Sequence, residues 1–143
     1  MSERPSVFER IVAGDLPSRR LYEDDRVVCI LDINPMSRGH SLIFPRRHAF
    51  GLTDLDPEDG RRMFELAQRL SGFLKKALPE CAAVNLFLAD GKAAGQEVPH
   101  VHLHVTPRDV GDGIRLRGPS RVRRLDAELE QDTTLIRAAL AEN

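Results

Sequence analysis

Apolar and polar positions along the 143-residue chain change their period several times, and each change marks an element. In "SVFERIVAGDLP" the apolar Phe8, Ile11 and Val12 recur at helical spacing, which predicts a short helix stopped by Gly14 and Pro17. "RLYEDDRVVCILDI" predicts a short strand, an acidic turn and a β-branched strand from Arg26 to Asp32; "SLIFP" predicts another, closed by Pro45. The clearest helical pattern follows "TDLDPEDG". Asp56 suits its cap, Pro57 its first position, and Glu58 and Asp59 the positive end of its dipole. Met63, Leu66, Ala67, Leu70, Phe73, Leu74 and Ala77 then form one core-facing stripe up to Pro79. "AAVNLFLAD" reads as a fourth strand, "DGKAAGQE" as a loop and "VPHVHLHVTPR" as a fifth strand. From Ser120 to Ala141, Val122, Leu125, Leu129, Ile136 and Leu140 predict an amphipathic C-terminal helix. Strands joined by short turns favour antiparallel pairing with the long helix packed on one face, an α+β domain.

The fifth strand carries the chemistry. Three of the chain's five histidines, His100, His102 and His104, stand at alternate positions. On a strand they share one face, roughly 6–7 Å apart, with Val101, Leu103 and Val105 on the other. Three uses fit the pattern. The rings could be satisfied structural histidines. They could ligate a metal, with Glu97, His40 or His48 completing the set. Or one imidazole could attack a phosphoryl group and form a covalent intermediate while its neighbours hold the phosphate oxygens. Gly91 and Gly95 in the preceding loop let backbone N–H groups approach a phosphate, and Gln96 adds a neutral donor.

Composition narrows the partners. Apolar content of 41% and charged content of 30% suit a soluble globular domain, and a formal net charge of −1 directs it to neither nucleic acid nor anionic membrane. The apolar runs are too short to span a bilayer, and "MSERPSVFER" lacks the apolar stretch of a secretory signal. Cys29 and Cys81 sit in apolar surroundings and form no C-x-x-C, as expected of buried free thiols in a reducing, cytoplasmic compartment. Arg115, Arg117, Arg121, Arg123 and Arg124 cluster locally, but the acidic residues that follow balance them. One Tyr and no Trp supply little for stacking bases.

"GQEVPHVHLHVTPR" resembles the signature of the histidine-triad family of nucleotide hydrolases and transferases. "FERIVAGDLPSRRLYEDDRVVCILDINPMSRGHSLIFPRRH" resembles the family's N-terminal half in order and spacing, so the resemblance covers Phe8 to Arg108. It implies a catalytic domain over residues 1–109. Residues 110–143 would be a variable extension whose helix packs on the same domain. The implied fold is a meandering antiparallel five-stranded sheet with one long central helix, a short N-terminal helix and a C-terminal helix. Two such sheets would join in a homodimer.

The resemblance also assigns roles. His102 would attack the α-phosphorus of a nucleotide, and water would resolve the nucleotidyl-histidine. His104 would contact phosphate, His100 would help orient the nucleophile, and His40 would support the triad from the neighbouring strand. Asp32 would hold the ribose hydroxyls, Ile33 would line the base pocket, and Gln96 and Gly95 would lie on the phosphate side. The implied substrates are adenosine phosphoramidates, aminoacyl-adenylates and dinucleoside polyphosphates. No cofactor is required, although a divalent metal would screen a polyphosphate.

Some positions depart from the family pattern. Ser6 and Glu9 stand where many bacterial relatives carry a C-x-x-C that joins two histidines, here His48 and His100, around a structural zinc. Ala89 replaces an amide near the phosphates, and Glu97 stands where some branches carry Ser or Thr beside the leaving group. Two other classes of protein remain open: a nucleotide-binding regulatory module, and a metal-dependent enzyme that uses the triad as ligands.

Overall fold

The computed structural model describes residues 4–116 and 122–142. Nine elements follow one another: helix α1 (Val7–Val12), strands β1 (Arg20–Glu23), β2 (Val27–Leu31) and β3 (Ser41–Pro45), helix α2 (Pro57–Ala77), strand β4 (Ala83–Phe87), a 3-10 turn (Lys92–Ala94), strand β5 (Leu103–Arg108) and helix α3 (Asp126–Ala141). All strand pairs are antiparallel. The sheet order is β1-β2-β3-β5-β4: the first three strands meander, and β5 then inserts between β3 and β4.

Why the central strands are apolar on both faces follows from what covers them. Val27, Cys29, Ile43 and Val105 pack against Met63, Leu66, Ala67 and Leu74 of α2. On the opposite face Val28, Ile30, Leu42 and Phe44 pack against Phe8 and Ile11 of α1. Each helix thus takes alternate residues of the same strands, the expected result for strands buried on both sides. Both cysteines are buried and free. Asp56 caps α2 by accepting from the Glu58 amide at 2.8 Å, with Pro57 at its first position.

Several expectations are corrected. The fifth strand begins at Leu103, so His100 and His102 precede it and only His104 lies within it. Bends at 98–100 end the strict alternation there. Phe73 and Ala77 of the α2 stripe are exposed; Leu78, just past the helix, packs on the core instead. Helix α3 forms, but none of its residues is buried; the described part of the extension touches the domain through Arg108, which bonds Asp112 and the Ile114 carbonyl. Its large apolar residues, Leu129, Leu135, Ile136 and Leu140, are all exposed. Arg124 pairs with Glu128 and Asp132; Arg117, Arg121 and the start of the predicted helix at Ser120 lie outside the described residues.

Candidate active site

Strand register explains how the histidines meet. In β3 and β5, Leu42 pairs with His104, and β4 brings Phe87 to the other side of the same ring. Antiparallel partners share a face, so His104 lies on the α1 side of the sheet. Phe87 stacks on it with centroids 4.1 Å apart and planes within 9°. His40 immediately precedes β3 and Asp32 immediately follows β2; the Asp32 amide donates to the His40 carbonyl at 2.9 Å and extends that pairing by one rung. Gly39 (φ +87°) makes the turn into His40, and a Cβ there would meet Leu78 Cδ1 at 2.6 Å.

Hydrogen bonds that end on backbone groups fix the tautomers of His40, His100, His102 and His104. The Met36 amide is 3.0 Å from His40 Nδ1, so that nitrogen accepts and His40 carries its proton on Nε2. His40 Nε2 lies 2.9 Å from His104 Nδ1, so it donates there and leaves His104 with an Nε2–H. His102 Nδ1 lies 2.8 Å from the His100 carbonyl and must donate to it. The lone pair of His102 is therefore on Nε2. His100 Nε2 donates to the Pro45 carbonyl at 2.8 Å, and its Nδ1 accepts from the Ser6 hydroxyl at 3.0 Å.

These rings are neutral bases at neutral pH. Burial lowers the pKa of His40, His100 and His102 below 6.5, with the Asp32 carboxylate opposing the shift at His40 and His102. Burial, together with the neighbouring rings of His102 and His40, pushes His104 down to about 4.

His40, His102 and His104 open onto a cleft of about 730 Å³, whose other walls include Phe8, Ile11, Leu16, Ile30, Leu42 and Val98. Asp32, Ile33, Gly95, Ala89 and Glu97 also line it, and no Lys or Arg does among the described residues. Asp32 serves two purposes: Oδ1 accepts from the Asn34 amide at 2.8 Å, while Oδ2 lies 3.8 Å from His40 Nε2. Ile33 is 87% exposed at the mouth. Phe8 is both core and wall, stacked on Phe44 and edge-on to His100 and His102.

Two expected site residues lie outside the cleft lining. His100 is wholly buried behind the cleft and acts on His102 through its carbonyl. Gln96, expected on the phosphate side, braces the loop in this structure. Its Oε1 accepts from the Gly91 amide at 2.7 Å, and its Nε2 donates to the carbonyls of Phe50 and Val98 at 2.7 and 3.0 Å. Ser6, Met36, Pro45 and Phe87 contact the site without having been singled out for it. Ser6 and Glu9 do show an S-x-x-E capping box in sequence, and the structure contains it.

Among the described residues, two groups of side chains place three metal-ligating atoms within 4.8 Å of one another: Glu9, His48 and His100, and Asp32, His40 and His104. Tautomers separate them. In the second group the Met36 amide holds His40 Nδ1 as an acceptor, so Nε2 must keep its proton and has no lone pair for an ion. In the first, His100 donates Nε2–H to a backbone carbonyl and presents the Nδ1 lone pair, the orientation usual for a metal-bound histidine. The Ser6 hydroxyl, 3.0 Å away, already occupies that lone pair, so zinc would have to displace it before Glu9, His48 and His100 could hold an ion. Zinc there would supply a structural link, remote from the lone pair of His102.

Comparison with known proteins agrees with this architecture. The family model described as "HIT domain" matches residues 13–111. A solved zinc-bound histidine triad family protein from Mycobacterium smegmatis is 42% identical, with 95% of this chain and 93% of that one covered and a TM-score of 0.74. The adenylylsulfatase HINT3 of Arabidopsis thaliana is 38% identical over 94% of this chain and 68% of its own. The adenosine 5'-monophosphoramidase HNT1 of Saccharomyces cerevisiae is 34% identical over 80% of this chain and 70% of its own.

Proposed function

The chain belongs to the HIT domain family, and from that premise we propose that it hydrolyses nucleoside 5'-phosphoryl compounds with His102 as nucleophile. The observation that carries this reading is the 2.8 Å bond from His102 Nδ1 to the His100 carbonyl, which leaves an unprotonated Nε2 in the cleft. That nitrogen bonds to the α-phosphorus as the bond from phosphorus to the leaving group breaks. The leaving group takes a proton from water, and a nucleotidyl-imidazolium remains on His102. Water then attacks phosphorus, the P–N bond breaks, a proton returns to solvent and the nucleoside monophosphate departs. His104 donates its Nε2–H to a phosphate oxygen, and His40 holds His104 in that tautomer.

The remaining groups bind. Asp32 Oδ2 accepts from the ribose hydroxyls, Ile33 and Phe8 flank the base, and Gly95 allows the backbone close to phosphate. The activities for which the Arabidopsis and yeast relatives are named support an adenosine substrate with a leaving group on its α-phosphorus, and AMP as product. The step as written uses no cofactor; a divalent metal would serve only to screen a polyphosphate.

Homodimerisation and a cytoplasmic location belong to the same proposal. The edge position of β4 and the exposed Phe64, Phe73 and Leu86 support the first, and the two free thiols support the second. Among the described residues no helix is long and apolar enough to cross a membrane.

The test is a chromatographic assay of AMP release, without metal, from an adenosine phosphoramidate and a diadenosine polyphosphate, with His102→Ala in parallel. Release that depends on His102 supports the reading. Nucleotide binding without release would indicate a regulatory binding module. Activity that appears only with added metal would indicate a metalloenzyme.

A further inference from the structure

Outside the cleft, Ser6, Glu9, His48 and His100 form a cluster that the proposed chemistry does not use directly. The Ser6 hydroxyl has two partners. It accepts from the Glu9 amide at 3.1 Å, which caps α1, and lies 3.0 Å from His100 Nδ1, 94 residues away. Pro45 already takes the Nε2 proton of His100, so Nδ1 can only accept and Ser6 must donate. Glu9 closes the cluster: its carboxylate accepts from the Ser6 amide at 2.6 Å and lies 3.4 Å from His48 Nδ1. His100 is entirely buried between these partners, and its carbonyl holds Nδ1 of His102.

We infer that Ser6 is a positioning residue for the nucleophile, an inference that rests on the hydrolase reading above. Its single proton satisfies the buried Nδ1 of His100, anchors the ring from the side opposite the Pro45 carbonyl, and so holds the carbonyl that orients His102. The same hydroxyl starts the helix that carries Phe8 and Ile11 into the cleft wall, so the nucleophile and one wall of the cleft share one anchor. Ser6 and a metal ion are alternative partners for one lone pair, because a proton donor and a cation cannot both occupy His100 Nδ1. In this chain the link between α1 and the triad is a hydrogen bond, at the position where the first thiolate stands in C-x-x-C relatives.

The test uses full-length protein as purified, with three variants. Ser6→Ala removes both roles. Ser6→Thr keeps both. Ser6→Asp still caps the helix, since Asp is among the best capping residues, but offers His100 no proton. Two quantities are read: the ring ¹⁵N shifts of His100, which report its tautomer without any turnover, and kcat and KM for the preferred nucleotide. Wild type and Ser6→Thr should show Nε2–H with an unprotonated Nδ1. Ser6→Ala should keep Nε2–H on the Pro45 carbonyl but move the Nδ1 shift to that of a nitrogen without a hydrogen-bond donor, and Ser6→Asp, which offers an acceptor instead, should protonate both nitrogens. They should also lower kcat roughly tenfold, as expected for the loss of one hydrogen bond in a catalytic network, with KM changed less. A Ser6→Asp protein with wild-type kcat and wild-type His100 shifts would reduce Ser6 to a helix cap and overturn the inference. So would stoichiometric zinc in the purified protein with His100 Nδ1 shifted by metal. If the wild type itself shows no His102-dependent turnover, the hydrolase reading fails, while the ¹⁵N shifts still decide whether Ser6 anchors His100 through Nδ1.

Discussion

Nε2 of His40 lies 2.9 Å from Nδ1 of His104, and the Met36 amide, 3.0 Å from the other nitrogen of His40, sets the direction of the proton between them. His104 is thereby left with an Nε2–H that can serve a phosphate oxygen. Removing the donor by His40→Ala frees His104 to take either tautomer and leaves the Met36 amide without its partner. Steady-state kinetics should show kcat lowered roughly tenfold, about the effect of one lost hydrogen bond at the transition state, with a smaller change in KM.

Acid should silence the enzyme only well below neutrality. The nucleophile needs its lone pair, and burial holds the pKa of His102 below the ordinary 6.5, against the opposing influence of the His100 carbonyl, Asp32 and Glu97. A profile of kcat/KM, with the uncatalysed rate subtracted, should reach its acid midpoint below pH 6.5. Half-loss above pH 6.5 would contradict the buried neutral triad. Stability follows the same sign. Unfolded histidines take up protons near pH 6.5 while the folded rings, His104 above all at about 4, do not. Unfolding free energy should therefore decline as pH falls from 6.5 towards 4, a trend that urea titrations can measure.

Charge in the cleft should select the leaving group. Asp32 and Glu97 line it and no described Lys or Arg does, so a polyphosphate leaving group meets repulsion without a compensating cation. Glu97→Gln should raise kcat/KM for a diadenosine polyphosphate relative to an adenosine phosphoramidate. The ratio, measured at fixed ionic strength, should rise several-fold, on the order of one screened charge interaction. An unchanged ratio would remove Glu97 from any part in specificity.

Phe8→Ala should affect both stability and binding. Phe8 is buried, stacks on Phe44 with centroids 4.3 Å apart, and borders His102 and the cleft. Truncation should destabilise the fold by ~3–5 kcal/mol in urea denaturation and raise KM, whereas Phe8→Leu should keep most of both.

Much of this arrangement was legible in the chain because it is local. The alternation around His102 and His104, the Asp56-Pro57 helix start and the apolar β2 and β3 each depend on neighbours a few residues away. What was not legible depends on contacts made at long range. Gln96 is a suitable donor for phosphate or backbone alike, and only the fold brings it the Phe50 carbonyl, 46 positions away. The Ser6-to-His100 bond likewise joins distant segments. Phe73 and Ala77 match the α2 period but sit at the margin of the seam made by Met63, Leu66, Ala67 and Leu74. A period marks a face without saying how far its partner extends, and α3 makes the same point with no buried residue at all.

The most direct measurement is to mix the enzyme with excess nucleotide substrate, quench within one turnover, and map the attached nucleotide by mass spectrometry under conditions that preserve phosphohistidine. The hydrolase reading predicts a nucleoside monophosphate on His102, formed at least as fast as product appears and absent from His102→Ala. Turnover with no adduct on any histidine, or an adduct on His100 or His104 that persists in His102→Ala, would contradict it.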